Sequence, residues 1–167
     1  AYPLGKLDHG KESLNYGHMN SLFPYKGSLY VLAHNNTART GKKSSIIVLD
    51  PHSFVVKETL NDIGECAHNI IILDGTLYYC DSLPGKFMRG NETIISLDYY
   101  VRGLAMNEEG TILGGSRHCD RKDRKLSDSF IIYLDRDFRP QTTVTLFGAG
   151  ACNEIRLIGK DLGAPAT

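Results

Sequence analysis

The segment AHNIIILDGTLYYC, residues 67–80, carries the pattern on which the fold prediction depends. An apolar run is followed by Asp74-Gly75 and then by a second run rich in leucine and tyrosine. An Asp-Gly pair accepts the positive φ angles of a tight turn, so this segment predicts a β-hairpin. After a polar loop, the string IISLD at residues 94–98 predicts a third strand.

The same pattern occurs three times along the chain. Second strands are predicted at GSLYV (27–31), GTLYY (75–79) and GTILG (110–114), and third strands at IIVLD (46–50), IISLD (94–98) and IIYLD (131–135). The first isoleucine follows the turn glycine by 19, 19 and 21 residues. Repeats of roughly 35–50 residues made of short strands are typical of β-propellers, with one blade per repeat. The sequence therefore predicts an all-β protein built from propeller-type blades of three to four antiparallel strands.

Residues 1–167 are predicted to form a single domain, since a chain of 167 residues is of single-domain size. About three and a half blades are expected along it. They cover 17–60, 66–98 and 101–147, with a partial inner strand at 152–158. The second blade is predicted to lack its outer strand, because the chain continues directly from Asp98 into the next repeat.

Over residues 17–158 these blades resemble the NHL and YVTN types of propeller repeat and, more distantly, the senescence-marker and lactonase group. The resemblance implies a closed ring of roughly five to seven blades, more than this sequence supplies. An open arc would leave unpaired strand edges. We therefore expect the chain to form a homo-oligomer or to be part of a larger propeller.

Composition narrows the choice of partners and compartment. Lys plus Arg and Asp plus Glu each number 19, so net charge gives no indication of nucleic-acid binding. No apolar stretch approaches the roughly 18–20 residues of a membrane span, and no membrane association is expected. The sequence shows neither a signal peptide nor an initiator methionine, and the cytoplasm is the default expectation. The four cysteines show no C-x-x-C spacing and are expected to be reduced thiols: Cys66, Cys80, Cys119 and Cys152.

Candidate site residues follow from the geometry of a propeller, in which inner strands begin on the same face as the loops between second and third strands. Polar residues concentrate at these places. The ligand-binding residues predicted there are His18, Asn20, His68, Asn69, Arg102, Asn153, Arg117 and His118. The same loops also hold His34, Asn35, Asn36, Arg39, Asp81, Ser82, Cys119 and Asp120.

Two kinds of metal site are compatible with these residues. His18 and His68 precede equivalent strands, and with Glu154 they could bind a divalent transition metal. Alternatively, oxygens of Asn20, Asn69 and Glu154 could surround a hard cation. The simpler interpretation is that each histidine holds a strand end or loop in place. In an enzyme, Glu154 and His68 are the catalytic candidates, because catalysis needs a titratable group.

The leading functional prediction is a ligand-binding or scaffolding protein for an anionic small molecule or glycan. An arginine at an inner-strand start, Arg102, is suited to bidentate binding of carboxylate or phosphate. The loops between second and third strands add a basic rim that would attract anions: Arg39, Lys42, Lys43, Lys86, Arg89, Arg117, Arg121, Lys122, Arg124 and Lys125. The alternative is a metal-assisted enzyme, of lyase, hydrolase or lactonase type, acting on an anionic sugar-like substrate.

Overall fold

A computed structural model describes residues 17–118 and 123–158 and shows an all-β protein. Three four-stranded antiparallel sheets follow one another along the chain, each in sequential strand order. The first contains β1 (Met19–Tyr25), β2 (Ser28–Ala33), β3 (Ser45–Leu49) and β4 (Val56–Leu60). The second contains β5 (His68–Leu73), β6 (Thr76–Asp81), β7 (Lys86–Arg89) and β8 (Glu92–Ser96). The third contains β9 (Tyr100–Asn107), β10 (Gly110–Ser116), β11 (Ser129–Leu134) and β12 (Pro140–Leu146).

The predicted strands at 28–33, 45–49, 70–73, 76–80, 93–97, 111–114 and 130–134 each fall on an observed strand. In the described part of the chain the one helix, α1 (Thr37–Thr40), is a single turn in the loop after β2. None of the helical structure described is long and apolar enough to cross a membrane.

The second sheet is covered on both faces, which explains why its strands are almost continuously apolar. Alternate side chains of β6 point in opposite directions, so Tyr79 packs toward the first sheet and Tyr78 toward the third. In β7, Met88 likewise packs toward the first sheet and Phe87 toward the third. Full burial of one such side chain contributes about 1.5–3 kcal/mol, so these layers hold the sheets together.

The prediction that the second repeat lacks an outer strand is wrong. Its third strand is β7, and the IISLD string at 94–98 overlaps the outer strand β8, whereas IIVLD and IIYLD form third strands. The equal spacing in the sequence arises because residues 82–85 form a short turn where the first repeat has the longer loop 34–44. Lys86 and Arg89 of the predicted rim consequently lie in β7, not in a loop.

One further expectation is wrong, and four of the predicted residues lie outside the described part of the chain. Residues 151–158 have no strand pairing, so the predicted inner strand at 152–158 is absent from the structure. This segment instead lies against β9 and β10, where Gly103 and Gly114 leave room for the side chain of Ile155. Four residues from the predicted face and rim lie outside the described residues: Cys119, Asp120, Arg121 and Lys122.

Candidate functional site

Each inner strand contains a β-bulge at an equivalent position. The pairing registers of β1, β5 and β9 each shift by one residue, and the extra residues are Asn20, Asn69 and Arg102. A bulge leaves its extra residue outside the regular ladder and redirects its side chain. Three polar residues therefore stand outside the regular cross-strand pairs, each near the start of its inner strand.

The bulged residues meet because β1 lies beside β5 and β5 beside β9. Together with residues 153–157, the three inner strands bound an open cleft of about 1,020 Å³, the inner cleft. Seven residues selected from the sequence line it: His18, Asn20, His68, Asn69, Arg102, Asn153 and Glu154.

Arg117 and His118, the other two predicted ligand-binding residues, are not part of this lining. The guanidinium of Arg117 is largely exposed and lies 3.7 Å from the carboxylate of Asp128. His118 packs edge-on against the ring of Tyr100, with 5.9 Å between ring centroids. Both residues therefore belong to the loop around the cleft rather than to its wall.

Hydrogen bonds fix the orientation of the two bulged asparagines. Asn20 Nδ2 donates to the carbonyl oxygen of Ala67 over 2.9 Å. Asn69 Nδ2 donates to the carbonyl oxygen of Arg102 over 2.6 Å, helped by a left-handed backbone with φ of 46°. Because a carbonyl can only accept, each amide must place its nitrogen there and its oxygen on the other side. The bulges thereby link neighbouring sheets.

Arg102 is a half-buried cation of the inner cleft, which is also lined by Arg156 in its ion pair with Glu154. Its Nε atom is buried and has no hydrogen-bond partner. Among the described residues no carboxylate forms an ion pair with it, and burial lowers its pKa. A second guanidinium, that of Arg124, lies 5.4 Å from the centroid of the Tyr100 ring. The site therefore has excess positive charge and an unused donor.

Five aromatic rings form a continuous row at this end of the sheets, the ring row. Centroid separations along it are 4.7, 5.2, 5.9 and 5.9 Å. The members in order are His18, His34, His68, Tyr100 and His118. His18 and His68 thus share one face, as predicted, but the imidazole of His34 lies between them.

Burial keeps the central histidines uncharged. His68 is only 5% exposed, and its Nδ1 lies 2.8 Å from Ser82 Oγ. Burial, followed by the nearby Arg102, lowers the pKa of His68 to about 2. Burial also lowers the pKa of His34 to about 4, and its Nδ1 accepts a hydrogen bond from the backbone N–H of Asn36. The neutral imidazoles avoid adding to the charge of Arg102 at neutral pH.

The predicted transition-metal site of His18, His68 and Glu154 is not assembled in the structure. Across residues 17–118 and 123–158, no group of three or more His, Cys, Asp and Glu side chains is arranged to hold a metal ion. Glu154 contributes its carboxylate to Arg156 instead, with 2.7 Å between Oε1 and the guanidinium. The contact of His68 with Ser82 fits a histidine that holds a loop in place better than it fits a metal ligand.

Cys66, Cys80 and Cys152 are free thiols.

Tyr100 is the site residue that sequence reasoning missed. It stands two positions before the bulged Arg102, as His18 stands two positions before Asn20. Aligning the repeats on their bulges would have placed it in the ring row, but an alternation of strand residues does not reveal bulges. His34 and Ser82 were placed at this face without being included among the predicted ligand-binding residues.

The chain matches no protein-family model and no curated protein. The site is therefore interpreted from its own geometry.

Proposed function

We propose that this chain is a ligand-binding protein whose three sheets are arranged as propeller-type blades, with an anionic small molecule or glycan bound in the inner cleft. The observation that carries the proposal is the buried, unpartnered Nε of Arg102. An unsatisfied buried donor is unfavourable by about 1–3 kcal/mol, more when charged, unless something accepts from it. An anionic group of a ligand would satisfy it.

The surroundings support an anion rather than a cation. Arg102 and Arg124 are close enough to His34 to depress its pKa, so their positive fields overlap at this point. No carboxylate among the residues described here neutralises Arg102. Charge-assisted hydrogen bonds from arginine to an oxyanion are about twice as strong as neutral ones. A bound anion would therefore gain both charge compensation and a hydrogen bond.

The arrangement favours binding over metal-assisted catalysis. The enzyme alternative required Glu154 as a general base beside His68. Glu154 is half exposed and is occupied by its ion pair with Arg156, while His68 is held uncharged by burial. Glu154 is thus engaged by Arg156, and His68 is engaged by Ser82.

Replacing Arg102 with methionine is expected to weaken sulfate binding at least tenfold, because the methionine retains bulk but cannot donate hydrogen bonds or attract an anion. Sulfate is a suitable probe because its charge is constant above pH 4. Binding is measured by NMR titration of backbone amides in β9 at low ionic strength.

Arg117→Met is the matched control, because Arg117 lies outside the cleft and is largely exposed. It is expected to change sulfate affinity by less than about twofold, as is usual for an exposed charge. Equal losses of sulfate affinity in the two variants would mean that sulfate is attracted by the basic rim in general and not by Arg102 in particular. Unchanged binding in Arg102→Met would refute the proposed site.

We also propose that a second copy of the chain packs on the outer face of the third sheet. This face exposes Tyr133, Val144 and Leu146, and all of β12 is solvent-accessible. The second sheet buries both of its faces against its neighbours, and contiguous exposed apolar surface commonly marks an interface. The pairing would extend the stack of blades.

Changing Val144 and Leu146 together to glutamate is expected to abolish this self-association, because burying two carboxylates at an apolar contact is strongly unfavourable. Sedimentation equilibrium over a range of concentrations should show a mass above that of the monomer for the unmodified chain and a monomer for the variant. A concentration-independent monomer for the unmodified chain would remove the interface.

A further inference from the structure

We infer that the ligand of the inner cleft is a hydroxylated carboxylate, in which a carboxylate contacts Arg102 and a hydroxyl group donates to Asn20. This inference rests on the proposed anion site and specifies the ligand class. It comes from a second buried, unsatisfied atom, Asn20 Oδ1, which belongs to another residue of the cleft lining.

The orientation of the Asn20 amide makes this atom an acceptor. Nδ2 donates to the carbonyl oxygen of Ala67, so the remaining atom must be the oxygen. Oδ1 is buried and has no partner, just as Arg102 Nε is buried and has none. In the part of the chain that the structure describes, these are the two buried side-chain polar atoms without a hydrogen-bond partner. Both belong to bulged residues of inner strands.

The two atoms require opposite kinds of hydrogen-bond partner. Arg102 Nε requires an acceptor and favours an anion, whereas Asn20 Oδ1 requires a donor. A simple anion such as acetate has no donor and would leave Asn20 unsatisfied. An ammonium group would satisfy Asn20 but would be repelled by Arg102 and Arg124. A hydroxyl group on an otherwise anionic molecule meets both requirements.

The remaining cleft wall is compatible with a ligand that has both polar and apolar surface. The cleft volume of about 1,020 Å³ exceeds that of a single small ion, and its wall includes Met19 and Leu22 beside the polar bulge residues. Both of these apolar side chains are more than half exposed. A compact hydroxylated ring acid would place its carbon skeleton on this apolar surface.

Quinate and cyclohexanecarboxylate form a matched pair of probes. They share a ring and one carboxylate and differ in the ring hydroxyl groups. By isothermal titration calorimetry at pH 7.5, quinate is expected to bind the unmodified chain about tenfold or more tightly than cyclohexanecarboxylate, since a buried acceptor left unpaired penalises the analogue without hydroxyls. Equal affinities, or tighter binding of cyclohexanecarboxylate, would overturn the inference and leave the anion site standing.

Two variants separate this inference from the proposed function. Asn20→Leu is expected to reduce the preference for quinate to within about twofold while cyclohexanecarboxylate still binds. Arg102→Met is expected to weaken the binding of both acids. Failure of both acids to bind the unmodified chain would overturn the anion site itself. If Asn20→Leu does not fold, as judged by circular dichroism, the preference between the two acids in the unmodified chain decides alone.

Discussion

Lowering the pH from 7.5 to 4.5 is expected to reduce the free energy of unfolding by about 3 kcal/mol through His68 alone, and by a further, similar amount through His34. The pKa of His68 is about 2 in the folded chain and 6.5 in its ordinary state. Between these values the unfolded chain binds a proton that the folded chain excludes, so stability falls as the pH decreases. Each pH unit within this window corresponds to about 1.4 kcal/mol. Urea titrations at several pH values measure the slope.

Other groups near His68 modify the slope without reversing it. His34, with a pKa of about 4, destabilises the folded chain in the same direction over the same range and by an amount comparable to that of His68. Burial raises the pKa of Asp81, so this carboxyl opposes the trend to a smaller extent. The pKa of Asp50 is lowered by hydrogen bonds from Ser53, and its contribution is lost only below its ordinary value of 3.8.

His68→Asn is the informative variant, because the asparagine amide can occupy the position of Nδ1 and keep a hydrogen bond to Ser82. The variant is expected to lose about half of the pH dependence between pH 6.5 and 4.5, because His34 supplies a comparable part. A slope equal to that of the unmodified chain would show that His68 is not the responsible group. A flat profile in the unmodified chain would contradict the prediction directly.

Gly115→Ala is expected to destabilise the chain by about 3 kcal/mol, at the upper end of typical overpacking effects. A Cβ atom at this position would lie 2.3 Å from the carbonyl oxygen of Tyr100 and 2.7 Å from Cζ of Phe130. The first contact is with backbone, so β9 itself must move away from β10. That movement would also displace Arg102, and sulfate binding should be lost together with stability.

Gly114→Ala is the neighbouring comparison. Its Cβ would meet Cys152 Sγ and the end of the Ile155 side chain, each at 2.7 Å, and these belong to a segment without strand pairing. We expect less than about 1.5 kcal/mol of destabilisation and faster reaction of Cys152 with a thiol reagent. Chemical unfolding and thiol labelling measure the two effects. Equal destabilisation by both substitutions would mean that the backbone contact of Gly115 is not decisive.

Most of the strands could be predicted from the sequence because their signals are local. The Asp74-Gly75 turn and the strand predicted at residues 76–80 depend only on neighbouring residues, and the structure confirms both. The identity of strands within a sheet is not local. IISLD forms an outer strand and IIVLD a third strand because the preceding connections differ in length, although the strings are almost identical.

The candidate site depends on repetition along the chain. The polar residues at the inner-strand starts line a common cleft because the inner strands lie side by side, and repetition is visible in a sequence. The partners of individual side chains are not visible there. The ion pair of Glu154 with Arg156 and the contact of His68 with Ser82 depend on how a loop or segment is placed in space. Those contacts decide which groups remain available for a ligand.

The three bulges also bear on how the proposed binding site could change its specificity. Asn20, Asn69 and Arg102 stand outside the ladder pairing, so the register of each sheet does not depend on which side chain stands there. Each repeat therefore offers one position at which selection or directed evolution can exchange recognition chemistry by a single substitution. A combinatorial library restricted to these three codons would sample many ligand preferences, with stability measured for each member because Asn20 and Asn69 also link neighbouring sheets.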